Sequence, residues 1–246
     1  DTQWTQNRLG EVKRLTTTSK ALTAWKNDKA TSEIALYAAF ADYDNVTVTA
    51  GDLSDGNGNV ISADNVTTTF VRSTKAYNGD YLGYGSPDRV IPADNGSNRS
   101  ESSDILWTSE PVNMSANSVQ PVWVEIAVPE DTEAGVYTGT ISATADGVAD
   151  ALEFTYTVEV CDAVLPDAED YTFNIMQWQY PYSSAEYYGV EPFSAKHLEI
   201  LKEIMGVYKE VGGKAITTTF TEEAWAGQTY SANPVHYPSM VKWTKN

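Results

Sequence analysis

Between residues 30 and 160 apolar and polar positions mostly alternate with period two, the repeat of a strand that buries one face. Residues 32–40 (Ser-Glu-Ile-Ala-Leu-Tyr-Ala-Ala-Phe) predict one strand and residues 46–49 a second. Residues 60–61 and 66–71 predict two more. Asp55-Gly56-Asn57-Gly58-Asn59 is dense in residues that tolerate positive φ and predicts a turn. Residues 78–104 are rich in Gly, Pro, Asn, Ser and Asp and predict a long loop with one short extended piece at residues 89–91. Residues 121–129 and 135–143 alternate again across a polar connection at 130–134. Asp146-Gly147 is a strong hairpin dipeptide leading into 152–160, so these three segments predict a meander. Regular turns with little helical period predict an antiparallel β-sandwich. A helix stays open near residues 6–24, where Leu9, Val12 and Leu15 are spaced three apart.

After Leu165-Pro166-Asp167 the period changes, which divides the chain into a domain over residues 1–165 and another over 166–246. Residues 171–178 predict a strand. Ser194 is an N-cap candidate for a helix over 195–208, in which Leu198, Leu201, Ile204, Met205 and Tyr208 share a face. Gly212-Gly213 closes that helix, and residues 214–220 predict another strand. Strand, helix and strand in about fifty residues make one βαβ unit with parallel pairing. Parallel sheets are covered on both faces and normally hold several strands. The expectation is therefore the N-terminal piece of a larger protein, cut within its second domain. The alternative is a small mixed domain packed on the sandwich.

Charge narrows the partners. Lys plus Arg is 16 and Asp plus Glu is 34, a net charge of −18. That sign repels phosphate backbones and anionic lipid, so neither nucleic acid nor a membrane surface is an expected partner. No apolar run approaches eighteen residues, so no membrane insertion is expected. A single cysteine, Cys161, excludes an intrachain disulfide and a multi-thiolate metal site. No metal site and no cofactor are expected. Asp1-Thr2-Gln3-Trp4 has neither a basic n-region nor an apolar h-region, so either there is no export or the signal peptide has been removed. Tyr (15) and Trp (7) outnumber Phe (6), and flat rings with a polar handle suit sugar or peptide surfaces.

Three stretches carry a resemblance. They are Gln120-Pro121-Val122-Trp123-Val124-Glu125-Ile126-Ala127-Val128-Pro129 running into Ala134-Gly135-Val136-Tyr137-Thr138-Gly139-Thr140; Trp178 with Tyr187-Tyr188-Gly189-Val190-Glu191-Pro192-Phe193-Ser194 and His197; and Trp225-Ala226-Gly227-Gln228-Thr229-Tyr230 with Tyr237-Pro238-Ser239-Met240-Val241-Lys242-Trp243. In order and spacing the chain resembles glycoside hydrolase family 123 and its relatives known as domain of unknown function 4091, over residues 110–246 above all. The resemblance implies an N-terminal β-sandwich followed by a (β/α)8 barrel, so the βαβ unit looks like the start of a truncated TIM barrel in a mainly β chain. It implies glycoside hydrolysis by the complete protein. The characterised branch removes β-linked N-acetylgalactosamine by substrate-assisted catalysis, in which adjacent Asp and Glu residues orient the 2-acetamido group and protonate the leaving oxygen. In the family that pair lies on a later barrel strand. No catalytic residue is expected within residues 1–246, and this piece alone should be inactive. A secreted or cell-surface bacterial enzyme, its signal peptide already removed, is the expected setting.

On this reading Gln177, Trp178 and Gln179 end the first barrel strand, and Trp225, Gln228 and Tyr230 lie beyond the second, where barrel ends converge on a substrate. A Trp face stacks on the apolar side of a sugar ring and Gln amides reach hydroxyls; core and loop packing is the plainer alternative. Glu222-Glu223 follows a predicted strand end, but Glu-for-Asp on the wrong strand favours a solvated loop pair. Glu222 is kept as a substrate contact only. His197 and His236 lack partners at triad or metal spacing, and His197 is expected at the surface or at an interface. Asp55, Asn57 and Asn59 mimic a calcium loop, but Val60 and Val66 occupy the positions that demand Gly and Glu, so a hairpin turn is the better account. The expected partner is a glycan substrate, with self-association through an unpaired edge of the incomplete barrel. The competing readings are a non-catalytic carbohydrate-binding or adhesion module and a structural spacer.

Overall fold

Alternation in the sequence becomes alternation of burial in the strands. The structure, a computed structural model, describes residues 16–77, 99–177 and 181–216. In chain order the strands are β1 (Ser19–Lys26), β2 (Asp28–Ala38), β3 (Tyr43–Ala50), β4 (Leu53–Ser54), β5 (Val60–Ile61), β6 (Val66–Tyr77), β7 (Arg99–Thr108), β8 (Val112–Met114), β9 (Ser118–Val128), β10 (Gly135–Thr144) and β11 (Leu152–Val164). One sheet runs β1-β11-β10-β3-β8, with β4 pairing both β10 and β5; the other runs β2-β9-β6-β7. The fold is mainly β, a sandwich of two sheets, and residues 16–77 and 99–165 belong to one compact unit.

The core forms where the inner faces meet. In β2 Ala30, Ser32, Ile34, Leu36 and Ala38 point inward, and in β9 Val122, Val124, Ile126 and Val128 do the same. Register places Ala30 opposite Ile126, Ser32 opposite Val124 and Ile34 opposite Val122. Tyr137, Ile141, Phe154, Tyr156, Val158 and Val160 supply the facing layer. Each such large apolar side chain contributes roughly 1.5–3 kcal/mol on leaving water.

Several expectations are corrected. The meander does not form: β10 and β11 are a hairpin through Gly147 (φ 73°), but β9 lies in the opposite sheet between β2 and β6. Period two states which side chains turn inward and is silent on which sheet holds the strand. The sandwich is not wholly antiparallel, because β1 runs parallel to β11. Residues 19–24, left open as helix, are strand in β1; residues 6–15 lie outside the described residues. The expected loop over 78–104 ends early, since β7 starts at Arg99; residues 89–91 also lie outside the described residues.

Local chemistry accounts for the turns. Only Asn27 separates β1 from β2, which belong to different sheets. Its φ of 58° is a conformation Asn tolerates, and its side-chain amide donates to Leu165 O at 2.9 Å. The Asp55 turn is a hairpin between β4 and β5, as its composition predicts. Asp55 Oδ1 accepts the N–H of Asn57 (2.8 Å) and of Asn59 (3.0 Å), and Oδ2 accepts the Asn59 amide at 2.8 Å. The Asn59 amide first, then the Asn57 N–H, hold this carboxyl below its ordinary range.

Two residues of the Gly135–Thr140 stretch have structural reasons. Tyr137 is fully buried, and its hydroxyl donates to Glu133 O at 2.8 Å, tying the connection after β9 to the start of β10. A Cβ on Gly139 would stand 2.6 Å from Asp52 O and 2.8 Å from Leu53 Cγ. Glycine there lets β4 approach β10 closely.

Candidate functional site

Residues 166–177 and 181–216 belong to a second compact unit. Its helices are α1 (Pro181–Tyr188) and α2 (Ala195–Glu210). Pro181 opens α1, a position where a missing N–H costs nothing. The helix ends on Gly189 (φ 63°), with Val190 N–H donating to Ala185 O (2.9 Å) and Gly189 N–H to Glu186 O (3.2 Å), a Schellman closure. α1 has no counterpart in the expected elements, since Pro181-Tyr182-Ser183-Ser184 offers little apolar period.

α2 begins as predicted. Ser194 is the N-cap, its Oγ accepting His197 N–H at 3.3 Å. The far end closes on Gly212 (φ 85°), with Gly212 N–H on Lys209 O (2.9 Å) and Gly213 N–H on Tyr208 O (3.0 Å). The expected apolar face is rotated. Tyr208 is buried and Leu201 and Met205 are half-buried, but Leu198 and Ile204 are exposed and His197 is buried instead. His197, Leu201, Met205 and Tyr208 form one stripe at helical spacing, and that stripe packs within this unit.

His197, expected at the surface or at an interface, is 0% exposed, so the surface reading is corrected. Its Nδ1 accepts the N–H of Phe193 at 2.8 Å, and its Nε2 lies 3.0 Å from Ser184 Oγ and 3.1 Å from Pro181 O. An Nδ1 that accepts leaves the proton of the neutral ring on Nε2, which donates toward α1. Ser184 Oγ in turn donates to Pro181 O at 2.7 Å. The pair has the separation of a nucleophile and its base but the wrong tautomer, and a backbone N–H stands where a triad needs a carboxylate. Its role is to hold the turn between the helices. Phe193 has φ 59°, uncommon for a bulky residue, and is fixed there by His197 and by an edge-on contact with Tyr182 at 5.5 Å.

Among the described residues, the expected first strand of the unit is present only as a parallel bridge between Ile175 and Gly213. The pairing direction agrees with a βαβ unit, while residues 171–174 and 214–216 are not strand and residues 217–220, the rest of the expected second strand, lie outside the described residues. Tyr171 stacks on Phe173 (5.1 Å) and accepts the Lys214 ammonium on its carbonyl at 2.8 Å. Gln177, exposed, lies two residues beyond the bridged Ile175. Its N–H donates to the Tyr208 hydroxyl at 3.4 Å, and that hydroxyl donates to Ile175 O at 2.7 Å. Gln177 is thereby the candidate sugar contact whose surroundings are defined. Trp178, Gln179, Glu222, Trp225, Gln228 and Tyr230 lie outside the described residues, as do Glu223 and His236. Sequence reasoning placed Tyr208 on a generic apolar face and missed its link to Gln177. The available signal was a Tyr five residues before the second glycine of a Gly-Gly pair, which leaves space for the ring.

Comparison with known proteins bears on both units. Residues 1–145 match the glycoside hydrolase 123 N-terminal domain, and residues 178–246 match the glycoside hydrolase 123 catalytic domain. Among solved structures, a family 123 glycoside hydrolase from Clostridium perfringens, studied for glycolipid glycan hydrolysis, is 29% identical with a TM-score of 0.79. The match covers 100% of this chain and 40% of that one, so the chain spans well under half the length of this relative. A PapD-like domain of human CEP192 is 13% identical with a TM-score of 0.32, covering 60% of this chain and 84% of its own, too distant to bear on function. No curated protein matches the chain. With one family model spanning more than half of the residues and a second following it in the family's order, the chain belongs to glycoside hydrolase family 123.

Proposed function

We propose that residues 1–165 form the supporting sandwich, and residues 166–246 the opening part of the catalytic barrel, of an exported glycoside hydrolase that acts on β-linked N-acetylgalactosamine in glycans. Hydrolysis is substrate-assisted: the 2-acetamido group attacks the anomeric carbon while an acid protonates the leaving oxygen. The acidic pair that orients and protonates is supplied from outside residues 1–246, and this stretch contributes binding surface. Gln177, Trp178 and Gln179 reach the sugar from the end of the first barrel strand, and Glu222, Trp225, Gln228 and Tyr230 from beyond the second. The observation that carries this reading is the match along the whole chain to a family 123 hydrolase of glycolipid glycans.

The test uses the full-length protein against aryl β-N-acetylgalactosaminides and a panel of other aryl glycosides. Release of the aryl group from the N-acetylgalactosaminide, with retained configuration in the sugar first released, is the expected result. A correctly folded protein that turns over none of them would overturn the reading.

A further inference from the structure

Tyr208 is held from three sides. Its own carbonyl accepts Gly213 N–H at 3.0 Å, its ring lies beneath Gly213 so closely that a Cβ there would collide with it, and it is only 7% exposed. Its hydroxyl is thereby aimed at one place, the chain between Ile175 and Gln177. There it donates to one backbone group (Ile175 O, 2.7 Å) and accepts from another (Gln177 N–H, 3.4 Å). These two groups flank Met176, so the phenol fixes the backbone on both sides of that residue and sets the direction in which Gln177 leaves the bridged segment.

A side chain used only to fill the core needs no hydroxyl; a Phe would fill the same space. The parallel bridge from Ile175 to Gly213 already ties the segment to the end of α2. The phenol adds orientation at Gln177, two residues beyond the bridged Ile175. We propose that Tyr208 is a positioning residue: it presents Gln177 to the sugar and acts on substrate only through it. This inference rests on the reading of residue 177 as part of the glycan-binding face.

The experiment is a double-mutant cycle in the full-length enzyme, with Tyr208→Phe, Gln177→Ala and the double variant assayed on the best aryl glycoside. Tyr208→Phe is expected to lower kcat/KM by about tenfold, the scale of one well-placed hydrogen bond, chiefly through KM. Gln177→Ala lowers it at least as far, and the double variant falls no lower than Gln177→Ala alone. Tyr156→Phe, in the sandwich core, is the control for mere loss of stability; it lowers the unfolding midpoint and leaves kcat/KM unchanged. Additive losses in the double variant, or wild-type kinetics in Tyr208→Phe, would overturn this inference while leaving the hydrolase reading intact. A wild-type protein inactive on every glycoside would remove both.

Discussion

Ser32 on β2 and Tyr156 on β11 meet across the sandwich, their hydroxyls 3.0 Å apart, with only 8% and 2% of each residue exposed. Val124 pairs with Ser32 in register, and the surrounding layer is Val, Ile and Phe, so neither hydroxyl has water to turn to. Tyr156→Phe deletes one partner and strands the serine; Ser32→Ala strands the phenol. An orphaned buried hydroxyl costs about 1–3 kcal/mol, and each single variant should lose that much. For a chain of this size the loss is a drop of about 2–12 °C in Tm. The double variant exchanges a pair of polar groups for apolar ones of nearly the same shape, so it should lose much less than the sum. Urea unfolding of the four proteins, followed by tryptophan fluorescence, measures the coupling. Titration supplies a second reading. Burial pushes the Tyr156 phenol up from 10.0, and the Ser32 hydrogen bond pulls it part of the way back. As pH rises past about 10 the unfolded chain releases this proton first, so stability present below that pH is lost above it. In Ser32→Ala the phenol should titrate higher still. Strict additivity in the cycle, or single variants within 0.5 kcal/mol of the parent, would refute the claim that this bond spans a dry core.

Gly139→Ala should cost about 1–3 kcal/mol, because the obstacle is the Asp52 carbonyl, backbone that cannot swing away; an unchanged urea midpoint would contradict this. Asp55 should titrate below 3.8 by NMR, since the Asn59 amide and Asn57 N–H favour its charged form. The sign follows: the hairpin's stabilisation is present above the unfolded pKa and lost as pH falls through the folded one, and Asn59→Ala should raise the midpoint. A carboxyl that titrates at 3.8 or above in the parent sinks this account. His197→Ala should cost about 3 kcal/mol by opening a cavity and stranding the Phe193 N–H, with faster exchange at that amide. An amide exchanging at the parent rate would show that His197 does not hold the turn.

The strands were legible because period two is a property of the backbone: Ile34, Val124 and Val158 turn inward wherever their strands are placed. The Asp55 turn, the Ser194 cap and the Gly212-Gly213 closure were legible for a similar reason, each resting on a few adjacent residues. What local pattern could not supply was partnership. Nothing near Ser19 announces a parallel neighbour at Thr155, and nothing in residues 121–128 separates one inner face from the other. His197 was misplaced by the same gap. A lone histidine on a polar helix reads as a surface or interface residue until Phe193 N–H, Ser184 and Pro181 O are seen around it. Of the proposed sugar contacts, Gln177 has its backbone among the described residues, and Tyr208, which holds that backbone, sits 31 residues away in sequence, out of reach of any local pattern.

The positions by which the chain resembles its family divide by constraint. Tyr137 and Gly139 answer to Glu133 and to β4, and Ser194 and His197 answer to the start of α2. Each is explained by packing or by a hydrogen bond inside its own unit, so those positions identify a fold and leave the reaction open. Gln177, which is not among those positions, differs: its backbone is held by Tyr208 and by the bridge two residues before it, while its side chain is exposed. A fixed backbone under a solvent-facing amide is the arrangement expected of a binding residue, because orientation is settled before the ligand arrives and less freedom is lost on contact. On the proposed function, preference among sugars in the full-length protein should respond to substitution at Gln177 far more than at the motif residues, whose replacement should change stability at an unaltered preference.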